Sequence, residues 1–136
     1  MAHWLIKSEP STWSWAQQVA AGDKGTHWNG VRNHSAKLSL MAMQVGEEAF
    51  FYHSNEGKAI VGIVKVISPY YPDPSDPTHR FGMVDFAAVR PLANPVTLEA
   101  IKLEPRLSQM VLVNNSRLSV QPVRDEEWAI VLEMSR

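Results

Sequence analysis

Apolar positions cluster in short runs separated by turn residues. Trp4, Leu5 and Ile6 stand together and Glu9-Pro10 stops them, which predicts a buried strand over His3–Ser8. Ala49 to Tyr52 predicts a second, aromatic-rich strand over Glu48–Ser54. The turn Asn55-Glu56-Gly57 links it to a third over Lys58–Ser68, so the two form a hairpin with a longer loop. Within that third strand, Ile60 to Val64 shows no alternation, which predicts burial on both faces. Gly62 inside it predicts a bulge or sharp bend. Further strands are predicted over Gly82–Pro91, ended by proline, and over Arg117–Pro122. Met110 to Val113 fits either a strand or a helix.

Helical patterns are short. Ser14 and Gln17 form a capping box for a helix that ends at Gly22, with Trp15 and Val19 on one face. Trp13 and Trp15 are expected to be core and helix-docking residues. Asn33 caps a helix over Ser35–Met43, whose apolar stripe is Ala36, Leu40 and Met43. Thr97 caps Leu98 to Lys102, and Glu104-Pro105 ends it. Asp125, Glu126 and Glu127 open a last helix with charge favourable to its dipole, and Trp128, Val131 and Leu132 form its buried face. Pro69 to Arg80 is expected to be loop, with four prolines and the turn formers Asp73, Ser75 and Asp76. The sum is a mainly β (α+β) domain spanning residues 1–136, with five or six strands and peripheral helices.

Composition narrows the chemistry. The formal net charge of -1 argues against a protein that coats nucleic acid by bulk charge, while leaving room for a local basic patch. Absence of cysteine removes disulfides and thiolate metal sites. The five histidines fall at no metal spacing, so neither a metal nor a cofactor is expected. No apolar run approaches the ~20 residues of a membrane span. Met1 to Pro10 lacks a signal-peptide pattern, and the expected location is the cytoplasm. No nucleophile elbow, P-loop or glycine-rich fingerprint appears. Glu47-Glu48 and His53-Ser54 are neighbours on a strand, so the members of each pair point to opposite faces and lack a catalytic partner in each other. Catalysis is not expected.

The densest chemistry lies in Thr26-His27-Trp28-Asn29-Gly30-Val31-Arg32-Asn33-His34. Gly30 allows a turn where a side chain would clash. Trp28 and Arg32 flank the mouth of the Asn33-capped helix, a π-face beside a fixed positive charge, and a helix start suits an anion or a polar ligand edge. Taken alone, Trp28 fits a core residue and Arg32 a structural ion-pair partner.

Four ordered motifs resemble the EVE domain of the PUA-like superfamily. They are Trp4-Leu5-Ile6-Lys7-Ser8-Glu9-Pro10, Trp28-Asn29-Gly30-Val31-Arg32-Asn33, Phe51-Tyr52-His53-Ser54, and Ser116 to Val123. The likeness covers nearly the whole chain and is closest to the group that includes the thymocyte nuclear protein family. Asn29 departs from it, standing where relatives often carry an acidic residue, and so does Arg124-Asp125, where Thr-Pro is common. The resemblance implies a PUA-like open β-barrel that recognises a modified base in DNA or RNA. It implies nucleic acid as the partner; a monomer with no membrane partner is expected. A pocket for a flipped base needs a stacking face, edge-reading groups and a cation for phosphate. Trp28 is the expected face, and Tyr52 is either a second wall or a barrel aromatic. Ser8, Asn29, Asn33, His53 and Ser54 are expected edge readers, with Val31 beside them. Lys7, Arg32 and Arg117 are expected at phosphate, with Lys37 and Arg80 further out. Leu118 and Ser119 either close the pocket or end a strand. The competing reading is a small-molecule sensor, or a non-catalytic accessory subunit of a nucleic-acid-modifying system. It uses the same kind of pocket but lacks the salt response of phosphate contacts.

Overall fold

A computed structural model describes residues 1–136. Its main feature is a six-stranded mixed sheet that curls into a half-barrel. Along the chain its strands are β1 (His3–Ser8), β2 (Thr26–His27), β3 (Glu48–His53), β4 (Ala59–Val66), β7 (Asp85–Thr97) and β8 (Val120–Val123). In space the order is β2-β7-β4-β3-β1-β8. A separate ribbon pairs β5 (Tyr71–Pro72) with β6 (Gly82–Met83). The helices are α1 (Trp15–Ala20), α2 (His34–Ala42), α3 (Leu98–Lys102), α4 (Val111–Asn114) and α5 (Asp125–Met134). None is long and apolar enough to cross a membrane.

The unbroken apolar runs have a common cause: the sheet is covered on both faces. Trp4, Ile6, Phe51, Val64, Val66, Phe86 and Val120 pack with Ala36, Leu40 and Met43 of the α2 segment on one face. Leu5, Phe50, Tyr52, Ile60, Ile63 and Val123 pack with Ile101, Leu107, Met110, Trp128 and Val131 on the other. Successive strand residues therefore enter different cores. β1 and β3 pair in parallel, His3 opposite Glu48 through Ser8 opposite His53. The crossover between them carries α1, β2 and α2. Every other neighbour in the sheet is antiparallel.

Gly62 does mark a bulge. The β3–β4 register shifts at Phe51/Tyr52, and the β4–β7 register shifts between Ile60 and Gly62. A Cβ on Gly62 would fall inside the ring of Trp15, so the glycine is the seat on which that tryptophan docks.

Four expectations need correction. β7 does not end at Pro91 but runs on to Thr97. Its partner β2 reaches only Phe86 and Asp85, so beyond them β7 is an edge that requires no N–H from proline. Val19 is exposed and does not share a buried face with Trp15. Gln18 is buried in its place, because its amide is satisfied at both ends: Trp13 Nε1 donates to Oε1 at 2.8 Å, and Nε2 donates to the Phe86 carbonyl at 3.0 Å. Tyr71 and Pro72 leave the expected loop to pair with Met83 and Gly82. The last strand begins at Val120, after a turn centred on Ser116 and Arg117. Met110–Val113, ambiguous in sequence, is helical from Val111, where α4 begins, with Met110 as its N-cap.

Candidate functional site

A cavity of about 580 Å³ opens beside the C-terminal end of β1. Its wall has three parts: Lys7 to Glu9 with Thr12 and Trp13, the continuous segment Thr26 to Arg32, and Ser119. The Lys7 N–H donates to the Ser119 carbonyl at 2.9 Å, which ties the first part to the third.

Trp28 forms the aromatic wall. Its N–H donates to the Val84 carbonyl, and its ring stands edge-on to Phe51 and Phe86 at centroid distances of 5.9 and 5.6 Å. It is half-buried, so one part of the indole belongs to the core and another lines the cavity. Both sequence readings of Trp28 therefore describe the same side chain. Trp13 and Val31 supply the rest of the apolar wall.

The segment after Trp28 is shaped by a residue that sequence reasoning treated only as a turn former. Asp73 is buried, and its carboxylate receives the Gly30 N–H at 2.8 Å, Arg32 Nη1 at 3.2 Å, and the N–H and hydroxyl of Ser75 at 2.8 and 2.6 Å. Burial alone would raise its pKa. The Ser75, Gly30 and Arg32 donors outweigh that and hold the carboxyl below the ordinary aspartate range. Gly30 has φ +79°, a conformation L side chains rarely adopt, and that turn aims its N–H at Asp73. Arg32 also donates to Ser75 Oγ, and its guanidinium lies 5.8 Å from the Phe81 ring centroid. Lys37 Nζ lies 5.6 Å from the same ring. Asp76, also buried, receives the N–H groups of Thr78, Arg80 and Phe81 and so fixes the loop that carries Phe81.

Of the residues expected from sequence, Lys7, Ser8, Trp28, Asn29, Val31, Arg32 and Ser119 line one cavity. The structure does not bring Asn33, Tyr52, His53, Ser54, Arg117 or Leu118 to its wall. Asn33 caps α2, its Oδ1 accepting from the Ala36 N–H at 3.0 Å, and the wall ends one residue earlier at Arg32. Tyr52 is 3% exposed and lies in the opposite core, one residue out of phase with Phe51. Of its two readings, the geometry selects the barrel aromatic. His53 Nε2 accepts the Trp15 N–H at 3.0 Å and so anchors α1. The Ser54 N–H donates to the Ser8 carbonyl. Leu118 is buried in the core beneath the turn, and Arg117 is exposed away from the wall.

Lys7 and Ser8 reach the wall with their polar groups already engaged. Lys7 Nζ donates to the Ser116 carbonyl at 2.8 Å, and burial lowers its pKa. The Ser8 hydroxyl donates to the Trp13 carbonyl. Glu9, Thr12, Thr26 and His27 belong to the wall, and none of them has a role of its own in the sequence reading. Glu9 lies inside the motif Trp4–Pro10, Thr26 and His27 open the stretch Thr26–His34, and Thr12 follows the first motif by two residues.

A half-barrel sheet covered on both faces, with a polar-walled cavity beside β1 and β2, defines a PUA-like domain with a ligand-sized pocket. Comparison narrows the class. The chain belongs to the EVE domain family, whose model matches residues 2–134. It is similar to thymocyte nuclear protein 1 of Gallus gallus, with 35% identity over 97% of this chain and 68% of the relative. The Homo sapiens protein of that name is 34% identical over 98% of this chain and 73% of its own length. Among solved structures it resembles Rpa0253 from Rhodopseudomonas palustris, with TM-score 0.95 and 59% identity over 99% of this chain and 93% of that one. It also resembles human THYN1 protein in complex with 5-methylcytosine containing DNA, with TM-score 0.91 and 33% identity over 100% of this chain and 98% of that one.

Proposed function

We propose that this chain is a non-catalytic module that binds a modified nucleobase, taken out of its strand into the cavity against Trp28. The observation that carries this reading is the pairing of a half-buried indole with an oriented Arg32 on one wall of a cavity of about 580 Å³. That volume falls within the usual range for ligand pockets. Support comes from the related human protein, whose structure was solved with DNA containing 5-methylcytosine. The base stacks on Trp28, and Val31 and Trp13 offer apolar contact to an added methyl group. Arg32 keeps Nη2 toward the loop edge and meets a flanking phosphate. A purely binding role is supported by the state of the one His-Ser pair singled out from sequence. His53 Nε2 is occupied by the Trp15 N–H, and neither His53 nor Ser54 reaches the cavity.

The test is calorimetric titration with oligonucleotides that differ by one 5-methyl group. Modified DNA should bind more tightly than unmodified DNA. Trp28→Ala should lose about 1–3 kcal/mol of binding, for the oligonucleotide and the free nucleoside alike. Arg32→Ala should weaken the oligonucleotide and spare the nucleoside, with the salt slope reduced by about 0.7–0.9. Equal binding of modified and unmodified DNA, indifferent to Trp28, would refute the reading.

A further inference from the structure

Next to the indole the cavity wall carries a hydrogen-bonded group that the base-stacking reading leaves unused. His27 on β2 stands directly opposite Asp85 on β7. Asp85 Oδ1 lies 2.8 Å from His27 Nδ1 and accepts the Tyr71 hydroxyl at 2.5 Å. Tyr71 Oη is itself 2.8 Å from the same Nδ1. The Asp85 N–H is held in turn by Ser68 Oγ at 2.9 Å.

Of the two imidazole tautomers, counting protons leaves one. Burial and the Asp85 carboxylate push the Tyr71 phenol up to about 12, so it stays protonated, and its single proton goes to Asp85. The phenol oxygen and the carboxylate oxygen then both present lone pairs to Nδ1. Nδ1 therefore carries a ring proton and donates, which in the imidazole form leaves the lone pair on Nε2. The side chain of Asp85 is 17% exposed and that of His27 68%. The ring is therefore anchored through its inner nitrogen, and its outer nitrogen is free at the cavity wall. An unanchored histidine exchanges donor and acceptor between its two nitrogens; this one is held as an acceptor.

We propose that His27 is a specificity-determining residue of the cavity, whose Nε2 accepts a hydrogen bond from an exocyclic amino group and so selects cytosine-type bases over thymine. The inference rests on the base-binding reading above and extends it. 5-Methylcytosine and thymine share ring size and the 5-methyl group. They differ at C4, where one carries an amino donor and the other a carbonyl acceptor. Stacking on Trp28 and methyl contact with Val31 therefore do not tell them apart. A fixed acceptor does, because it bonds the amino group and opposes lone pair to lone pair with the carbonyl. Apart from the Ser8 hydroxyl, which is buried and spends its proton on the Trp13 carbonyl, the other polar groups on the wall are less selective. Asn29 and Ser119 can each donate or accept, Lys7 and Arg32 only donate, and Glu9 is an exposed acceptor with no partner that orients it. Asp85 and Tyr71 are positioning residues: they act by holding the tautomer.

The test uses short single-stranded oligonucleotides with one central 5-methylcytosine, cytosine or thymine, so that no base-pairing cost enters. Wild-type protein should favour 5-methylcytosine over thymine by about tenfold or more. His27→Ala changes an exposed side chain; it should bring that ratio to within about twofold at unchanged melting temperature. Asp85→Asn should lower the ratio. Nitrogen-15 NMR of the imidazole should show Nδ1 protonated in the wild type and an altered tautomer signature in Asp85→Asn. A ratio near one in the wild type, or a ratio that survives His27→Ala, would overturn the inference. So would uniform weakening of all three oligonucleotides by His27→Ala with a shallower salt slope, which would make His27 a phosphate contact. Asp85→Asn with an unchanged ratio and signature would overturn the positioning role. If the base-binding reading itself fails, 5-methylcytosine and cytosine will bind alike and Trp28→Ala will change neither. If only this inference fails, the preference for the methylated base and its dependence on Trp28 will persist.

Discussion

Single side chains near the cavity divide between those that shape it and those that face into it. Asn33 belongs to the first group. Its Oδ1 satisfies the Ala36 N–H at the start of α2, yet it is not part of the wall. Asn33→Ala should cost on the order of 1 kcal/mol of stability, seen as a lower melting temperature, with oligonucleotide binding unchanged. His53 is a second shaping residue. Accepting the Trp15 N–H requires an unprotonated Nε2, and burial lowers its pKa from the ordinary value. As pH falls through about 6.5, the unfolded chain takes up a proton that the folded chain does not. The contribution of His53 is therefore complete above that pH and declines below it, until the folded imidazole also titrates. Melting temperature should fall on acidification from pH 7 to about 5.5. His53→Gln, which keeps an acceptor but does not titrate, should flatten that fall.

At the level of elements, two joints hold the cavity in shape. One is the seating of Trp15 on the β4 bulge, where Gly62 leaves room for the ring. Gly62→Ala should displace Trp15 and destabilise the fold by about 1–3 kcal/mol, as overpacking does. Denaturant unfolding followed by tryptophan fluorescence would measure both effects. The other joint is the clamp of Asp73 on the Gly30–Arg32 turn. Asp73→Ala strips the Gly30 N–H and the Arg32 guanidinium of their shared acceptor. It should cost about 1.5–3 kcal/mol in stability. It should also weaken oligonucleotide binding, because Arg32 is no longer aimed. Arg32→Ala alone should weaken binding with a smaller stability loss, because its side chain is 40% exposed. Equal stability losses in the two variants would show that the clamp acts only through the ion pair.

The whole molecule is almost neutral, with a formal net charge of -1, so the proposed binding of DNA would rest on a few placed cations and not on an overall positive field. Lys7 is engaged with the Ser116 carbonyl. Arg32 on the cavity wall, and Lys37 near the same Phe81 ring, remain as the cations on this side of the molecule. Two phosphate contacts predict a shallow logarithmic salt slope of about -1.8 on duplex DNA. A much steeper slope, measured by titration across a series of salt concentrations, would reveal a wider basic surface than these two residues form.

Local pattern was enough to place most elements. The run Trp4-Leu5-Ile6, the caps Ser14, Asn33 and Thr97, and the break at Gly62 each act through chain neighbours, so the sequence carried them directly. The family motifs likewise pointed to the Lys7–Ser8 and Trp28–Arg32 walls of the cavity. What the sequence by itself did not determine is which face of each strand meets which core. Tyr52 and Phe51 are adjacent and equally aromatic, and only the pleat of β3 sends one to each side of the sheet. Nor did it determine pairings between distant segments. β1 and β3 run in parallel across a crossover that carries α1, β2 and α2. Asp73 reaches Gly30 across 43 positions, and Asp85 reaches His27 across 58. The chain around Asp73 shows only an Asx turn in a proline-rich loop, because that motif is complete within two residues at Ser75. Its second role exists only once the sheet has curled and brought the Gly30 turn within hydrogen-bond reach. Periodicity and caps are properties of a segment and its own backbone. The site is a property of register and curvature, which arise from packing between segments far apart in the chain.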